Sequence, residues 1–140
     1  MKTLLDTCVL SELYHPQGSV SVKSFVEQQP EDSLFISVIT LGELTKGVQM
    51  MPDSARKALL AAWVLEMERA YAPRILPIDA EVASIWGEVT AKAQRQGVVI
   101  QAADGLLAAT ALRHGLHLVT RNVRHIEASG VLFIDPWRLS

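Results

Sequence analysis

Short apolar runs alternate along this chain with longer stretches in which apolar residues recur every three or four positions. The short runs predict strands, and the longer stretches predict the helices between them. Strands that alternate with helices favour a central parallel sheet of four to five strands, covered on both faces in a three-layer α/β/α architecture. The predicted strands are Thr3–Leu5, Leu34–Ser37, Ile75–Ile78, Leu116–Val119 and Val131–Ile134, and Pro77 makes the third an edge strand.

Capping residues and helix breakers mark the ends of the predicted helices. Ser54 and Asp79 are typical N-caps, and Gly97 and Gly115 are typical helix terminators. No internal repeat or long linker divides the sequence, so residues 1–140 are expected to form one domain. The predicted helices are Thr7–Tyr14, Val20–Gln29, Val38–Met50, Ala55–Tyr71, a helix from Asp79 to about Gln96, and Gln101–His114.

Composition narrows the class of protein. A hydrophobic fraction of 49% with 20% charged residues is ordinary for a globular protein, and the apolar runs are too short to span a membrane. A single cysteine, Cys8, and an N-terminus that reaches Asp6 at once favour a cytoplasmic protein. The net charge of −2 opposes a protein that coats nucleic acid, but it does not oppose a nuclease whose acidic site binds a cation.

Three acids lie where the predicted topology places ligands. Asp6 follows the first strand, Glu43 lies within two turns of the second strand's end, and Asp104 begins the helix that leads into the fourth strand. Ligands of parallel sheets bind beyond the carboxyl ends of the strands, so these three carboxylates are expected at one edge.

Clustered carboxylates suit a hard divalent cation. Mg²⁺ prefers oxygen ligands, and a phosphodiester-cleaving enzyme uses it to activate water and to neutralise phosphoryl oxygens. Without a cation the three acids repel one another, so one of them is expected to have a raised pKa. Singly, each has another interpretation: Asp6 as a helix cap, Glu43 as a solvated helix residue, and Asp104 as an acid favoured by the helix dipole.

Four segments resemble the motifs of PIN domains of the VapC and FitB-like type, in order and across nearly the whole chain. The first is LLDTCVLSEL at residues 4–13, and the second is SVITLGEL at residues 37–44, followed by Gly47. The third is ADGLLAATA at residues 103–111, and the fourth is LVTRN at residues 118–122. Together these segments are a specific signal, although each alone is weak.

The resemblance implies a PIN fold and an endoribonuclease that depends on Mg²⁺ or Mn²⁺. It also implies that Asp6, Glu43 and Asp104 are the metal ligands, and that Thr120 and Asn122 match residues that shape the site. Such proteins are commonly toxins of toxin–antitoxin pairs. The implied partners are therefore an RNA substrate, an antitoxin that blocks the acidic pocket, and a second copy of the chain in a homodimer.

The chain departs from the family pattern at one position. Three residues after Asn122 the family commonly has a fourth acid, and this sequence has His125. Histidine is a poor Mg²⁺ ligand but an acceptable Mn²⁺ ligand, and it can carry a proton near neutral pH. The alternative is a surface residue after a turn. The number of bound metal ions is therefore left open. Glu127 is close enough in sequence to replace the fourth acid, but the sequence does not fix where its side chain points.

Four further residues are candidates for supporting roles. Glu12 either supports the acidic pocket or is solvated, and Lys46 either holds a phosphate, pairs with Glu43 or is solvated. Arg121 and Arg124 border the predicted site, where they either meet RNA phosphates or are ordinary surface arginines.

Three functions remain as hypotheses. The first is the metal-dependent ribonuclease, and the second is a catalytically silent PIN-like module that binds RNA or protein, motivated by His125. The third and most remote is a receiver-like phospho-accepting domain. That domain requires an adjacent pair of acids after the first strand and a lysine after a later strand, whereas Asp6 has no acidic neighbour and no lysine follows Val119.

Overall fold

A five-stranded, fully parallel sheet forms the centre of the protein in this computed structural model, which describes residues 1–139. The strand order is β3-β2-β1-β4-β5, so the first strand of the chain lies in the middle. The predicted architecture and the edge position of the third strand are confirmed. The strands are β1 Thr3–Leu5, β2 Leu34–Ser37, β3 Ile75–Leu76, β4 His117–Val119 and β5 Phe133–Ile134.

Helices connect the strands and cover the sheet. Ser54 and Asp79 cap two of them as expected, each accepting a hydrogen bond from a backbone amide three residues later. None of the helices within residues 1–139 is long and apolar enough to cross a membrane. The helices are α1 Thr7–Tyr14, α2 Val20–Glu27, α3 Val38–Gln49, α4 Ala55–Tyr71, α5 Ala80–Arg95, α6 Ala102–His114 and α7 Val123–Ile126.

Several element boundaries differ from the predicted ones. The third strand ends at Leu76 rather than Ile78, because Pro77 has no amide hydrogen to continue the ladder. The fourth strand begins at His117, since the amide of Leu116 instead bonds to the carbonyl of Ala111 at the end of α6. The fifth strand begins at Phe133 rather than Val131, and α2 ends at Glu27 rather than Gln29.

The short helix α7 was not predicted from the sequence. It has four residues, Val123–Ile126, and no side chain caps its start. A segment this short spans about one turn, so apolar periodicity cannot reveal it. His125 lies on this helix and is exposed, as in its interpretation as a surface residue.

The central strand β1 is anchored on both faces of the sheet. Leu4 packs into one buried apolar cluster with Leu107 and Leu118, and Leu5 packs into the other with Ile36. Successive side chains of a strand point to opposite faces, so a one-residue slip would exchange the two leucines. This packing fixes the position of Asp6, the residue that follows β1.

A glycine brings α5 and α6 into close contact beside the site. A Cβ atom added at Gly105 would lie 2.9 Å from Trp86 Cδ1 and 3.0 Å from Trp86 Nε1. Only a residue without a side chain fits against the indole at this distance. The contact sets the position of the first turn of α6, which carries Asp104.

Candidate functional site

Asp6 and Thr120, two of the predicted site residues, lie where the order of the strands in the sheet reverses. From β1 the chain continues to β2 and β3 on one side, and later to β4 and β5 on the other. The carboxyl ends of β1 and β4 are thus the topological switch point, where ligands of such sheets bind. Asp6 follows β1 and Thr120 follows β4, and the Asp6 amide donates to the Val119 carbonyl at 3.0 Å.

Asp6 is held on both carboxylate oxygens. Its side chain is 4% exposed, Oδ1 accepts from the Thr7 amide at 2.6 Å, and Oδ2 accepts from Thr120 Oγ1 at 2.6 Å. Asp6 is therefore the N-cap of α1 and a fixed carboxylate of the switch point at once. The capping interpretation and the site interpretation describe the same side chain.

Thr7 joins two of the predicted acids. Its amide donates to Asp6, and its hydroxyl donates to Glu43 Oε1 at 2.5 Å, which links the start of α1 to the exposed Glu43 on α3. Sequence reasoning did not single out Thr7. The available signal was its place directly after Asp6, where a hydroxyl points out of the first turn of α1 toward a neighbouring helix.

Thr120 is the buried support of the site. It is fully buried, and its hydroxyl oxygen accepts from the Asn122 amide at 3.0 Å while its hydrogen is donated to Asp6. This chain of bonds links the Thr-Arg-Asn segment to the Asp6 carboxylate. Asn122 itself is exposed at the mouth of the site.

Asp104 completes the carboxylate group from α6. Partial burial raises the pKa of the Asp104 carboxyl above its ordinary value, and the negative charges of Asp6 and Glu43 raise it further. His125 acts on the same pKa in the opposite direction. The expectation that one acid of the cluster has a raised pKa is confirmed, and Asp104 is that acid.

Replacing Asp104 by Asn is expected to stabilise the protein in EDTA at neutral pH. A carboxyl whose pKa is higher in the folded state binds more protons there, so the wild type loses stability as pH rises from about 3.9 through the folded pKa. The Asn variant escapes this loss. Thermal unfolding at pH 7 and near pH 4 should show an advantage of D104N that shrinks at the lower pH, and an equal difference at both would contradict the repulsion.

The described residues contain no closed metal cage. Among residues 1–139, no three His, Cys, Asp or Glu side chains are arranged so that they could hold an ion by themselves. Mg²⁺, however, usually retains several waters and binds through one or two carboxylates together with substrate phosphate. The chemistry of Asp6, Glu43 and Asp104, three oxygen donors that repel one another, fits such a partly hydrated cation.

An open cleft of about 670 Å³ lies beside Asp104, and Asp6 and Glu43 are not among the residues that line it. Asp104 and Asn122 lie in its wall, and His125 on α7 is exposed beside them. Three arginines line the same cleft: Arg121, Arg124 and Arg138. Arg138 was not singled out from the sequence, since it is far from every motif and follows the last strand.

Two predicted auxiliary residues have other positions. The Glu12 carboxylate accepts a hydrogen bond from the Ser19 amide at 2.7 Å, which ties the loop after α1 to that helix. Lys46 is exposed in the last turn of α3, one turn beyond Glu43. Neither residue is among the groups that line the cleft.

Cys8 is next to the site but is not a nucleophile. Burial and the neighbouring Asp6 charge raise the pKa of its thiol to about 12. A thiol must lose its proton to attack, so Cys8 is unreactive at neutral pH.

The fold and this carboxylate edge are those of a known family. The family model of the PIN domain matches residues 3–131, and the chain therefore belongs to the PIN-domain family. It is 36% identical over 135 residues to VapC ribonuclease Y4jK of Sinorhizobium fredii, with 96% of each chain covered. It is 35% identical over 138 residues to Toxin FitB of Neisseria gonorrhoeae, with 96% of this chain and 97% of FitB covered.

Solved structures agree with this assignment. A chain in the structure of FitAB bound to an IR36 DNA fragment superposes with a TM-score of 0.93 and 33% identity, with 99% of this chain and 97% of that chain covered. A chain of a toxin–antitoxin complex from Klebsiella pneumoniae has a TM-score of 0.70 and 25% identity, with 99% and 100% covered. The protein is thus a PIN domain of the VapC and FitB-like toxin type, as its motifs predicted.

Proposed function

We propose that this protein is a Mg²⁺- or Mn²⁺-dependent endoribonuclease that acts as the toxin of a toxin–antitoxin pair. The proposal is supported by the hydrogen bonds through which Thr7 links Asp6 to Glu43 beside the switch point, and by the negative charges of both acids, which raise the pKa of Asp104. Uncompensated negative charge at such a place is relieved by a cation. The relatives named ribonuclease and toxin support the same activity.

Asp6, Glu43 and Asp104 would hold the cation. When bound, it supplies an activated water and positive charge for the phosphoryl oxygens of RNA. The chain's own residues do the positioning: Thr120 fixes one oxygen of Asp6, and Thr7 links that acid to Glu43. The arginines of the cleft offer guanidinium groups to the phosphates on either side of the cut bond.

A cleavage assay with the purified protein tests this function. Labelled single-stranded RNA should be cut in the presence of Mg²⁺ or Mn²⁺ and left intact in EDTA. The competing function is a silent PIN-like binding module, favoured by His125 in place of the family's usual fourth acid. RNA binding and metal binding in calorimetry without any cleavage would establish that module instead. Membership of the PIN family sets the receiver-like alternative aside.

Thr120→Val tests how Asp6 is supported. The substitution keeps the shape but removes the donor to Asp6 Oδ2, and losing a partner of a metal ligand typically reduces activity about 10-fold or more. The buried acceptor left without a donor also lowers the free energy of unfolding by about 1–3 kcal/mol. Initial cleavage rates and urea unfolding measure the two effects.

Thr3→Val is the matched control for that experiment. Thr3 is equally buried at the opposite end of β1, and its hydroxyl has no hydrogen-bond partner among the described residues. Removing an unpartnered buried hydroxyl should leave cleavage unchanged and stability no lower. Equal loss of activity in both variants would contradict a specific role for Thr120.

The proposed partners are an RNA substrate, a cognate antitoxin that covers the carboxylates, and a second copy of the chain. The antitoxin is supported by the toxin–antitoxin complex among the similar structures. Light scattering of the isolated protein tests the homodimer. Co-expression with the product of the neighbouring reading frame tests the antitoxin: it should bind the protein and suppress cleavage, whereas cleavage at full rate in a purified complex would argue against a blocked site.

A further inference from the structure

The last residues that the structure describes form a fixed strap beside the cleft. This C-terminal strap comprises residues 135–139. Ser21 Oγ on α2 lies 2.6 Å from the Pro136 carbonyl oxygen and 2.7 Å from that of Leu139, so its single hydrogen is donated to one of these two carbonyls or shared between them. Asp135 Oδ1 accepts from the Trp137 amide at 3.0 Å, which closes a tight turn around the indole.

The ring of Trp137 lies between the apolar core and Arg121, and these two residues together are called the shelf. The half-buried ring packs against the buried cluster that contains Leu5 and Val119. On its outer side, the guanidinium carbon of Arg121 lies 5.0 Å from the ring centroid. Arg121 is exposed and directly follows Thr120, the residue that supports Asp6. The strap thus contacts the residue that directly follows Thr120 and lines the cleft.

A cation–π contact with the indole holds the Arg121 guanidinium over the ring face. This contact occupies no acidic partner, so the guanidinium remains available to an anion. Its N–H donors match two oxygens of a phosphate. Among residues 1–139, Arg121 makes no ion pair, whereas Arg138 is near Asp135 at 3.6 Å with its side chain 84% exposed.

We propose that Trp137 is a positioning residue that holds Arg121 at the rim of the cleft, where Arg121 and Arg138 bind phosphates of single-stranded RNA. This proposal rests on the proposed function, because it orients the RNA toward the same carboxylates. Three arginines and Asp104 line the same cleft. A polyanion is attracted to the guanidinium groups and is repelled by Asp104 unless a cation is bound, so the arginines are the groups that first bind RNA phosphates.

Equilibrium binding tests the shelf independently of cleavage. The probe is a fluorescein-labelled 12-nucleotide RNA of mixed sequence, followed by anisotropy in EDTA over a range of salt concentrations. Arg121→Gln should weaken binding about 5- to 10-fold at low salt and reduce the slope of log K against log salt by about 1. Trp137→Leu should give the same change in slope although it removes no charge, and Trp137→Phe should restore most of the affinity.

A double-mutant cycle separates positioning from direct contact. If Trp137 acts through Arg121, W137L should have little further effect on affinity in the R121Q background. A loss of equal size in both backgrounds would show that the indole contacts RNA itself or only supports the fold, and would overturn the proposal. Thermal unfolding of each variant identifies any general loss of structure, and W137F keeps the test valid if W137L is unstable.

Arg69→Gln is the charge-matched control, since Arg69 lies in the last turn of α4 near the start of β3, at the opposite edge of the sheet. It should bind RNA as the wild type does. A polyglutamate peptide provides the alternative ligand: unchanged RNA binding in R121Q and W137L, with loss of peptide binding, would assign the shelf to a protein partner and overturn the proposal. An inactive wild type that still binds RNA through the shelf would refute the proposed nuclease and leave the shelf standing.

Discussion

Asp6→Asn is expected to abolish RNA cleavage while the protein stays folded. Residues that only hydrogen-bond to a metal ligand already contribute about 10- to 100-fold, so loss of the ligand itself should reduce the rate by at least about a hundredfold. The fold should survive because Asn is as good an N-cap as Asp, and Thr120 Oγ1 can rotate its hydrogen to receive the new amide. Initial rates with labelled RNA in Mg²⁺, together with far-ultraviolet circular dichroism, measure both properties.

The control for D6N is Asp32→Asn. Asp32 is an exposed acid in the turn before β2, at the edge of the sheet opposite the switch point. The D32N variant loses the same charge as D6N at a position that does not contact the site, so its cleavage rate should equal that of the wild type. Wild-type rates in D6N itself would refute the assignment of the metal site, and a matching drop in both variants would trace the effect to net charge alone.

Gly105→Ala is expected to destabilise the protein although alanine favours helices. The new Cβ would lie 2.9 Å from Trp86 Cδ1, so the indole or α6 must shift. Overpacking of this kind typically costs about 1–3 kcal/mol, against a gain of about 1 kcal/mol from better helix propensity. Urea unfolding gives the net change, and the displaced first turn of α6 should also slow cleavage, since it carries Asp104.

Gly87→Ala isolates the packing effect. Gly87 lies in α5, and a Cβ added there meets no atom within 4 Å. Both variants gain helix propensity, so the difference between them reports the contact with Trp86. We expect G87A to be more stable than G105A by about 1–3 kcal/mol, or roughly 3–12 °C in Tm. Equal stabilities would show that the α5–α6 contact yields without strain.

The fold was readable from the sequence because its signals are local. Asp79 as an N-cap and Gly115 as a left-handed helix terminator, with φ of 67°, mark boundaries that no distant residue can move. The parallel sheet follows from alternation, and the edge strand from Pro77. The start of β4 moved by one residue because the Ala111 carbonyl accepts from the backbone amide of Leu116.

The carboxylate group was also predictable, but its supports were not. Asp6, Glu43 and Asp104 follow from topology and from the motifs, whereas the hydroxyl of Thr7 is recognised only when α3 is seen beside α1. Trp137 is separated from Arg121 by 16 positions with no periodic relation, so their stacking depends on how the strap folds back. Contacts of this kind are decided by tertiary packing, on which local patterns carry no information.

The central position of β1 has a consequence for the order in which a ribosome makes this protein. Asp6 and Glu43 emerge in the first third of the chain, while Asp104, Thr120 and Arg121 emerge in the last third. Until residue 119 has been added, β1 has no β4 beside it and Asp6 has no hydroxyl on its second oxygen. Under the proposed function, a half-translated chain therefore has no complete catalytic site, since it lacks Asp104 and the hydrogen bond that Thr120 donates to Asp6.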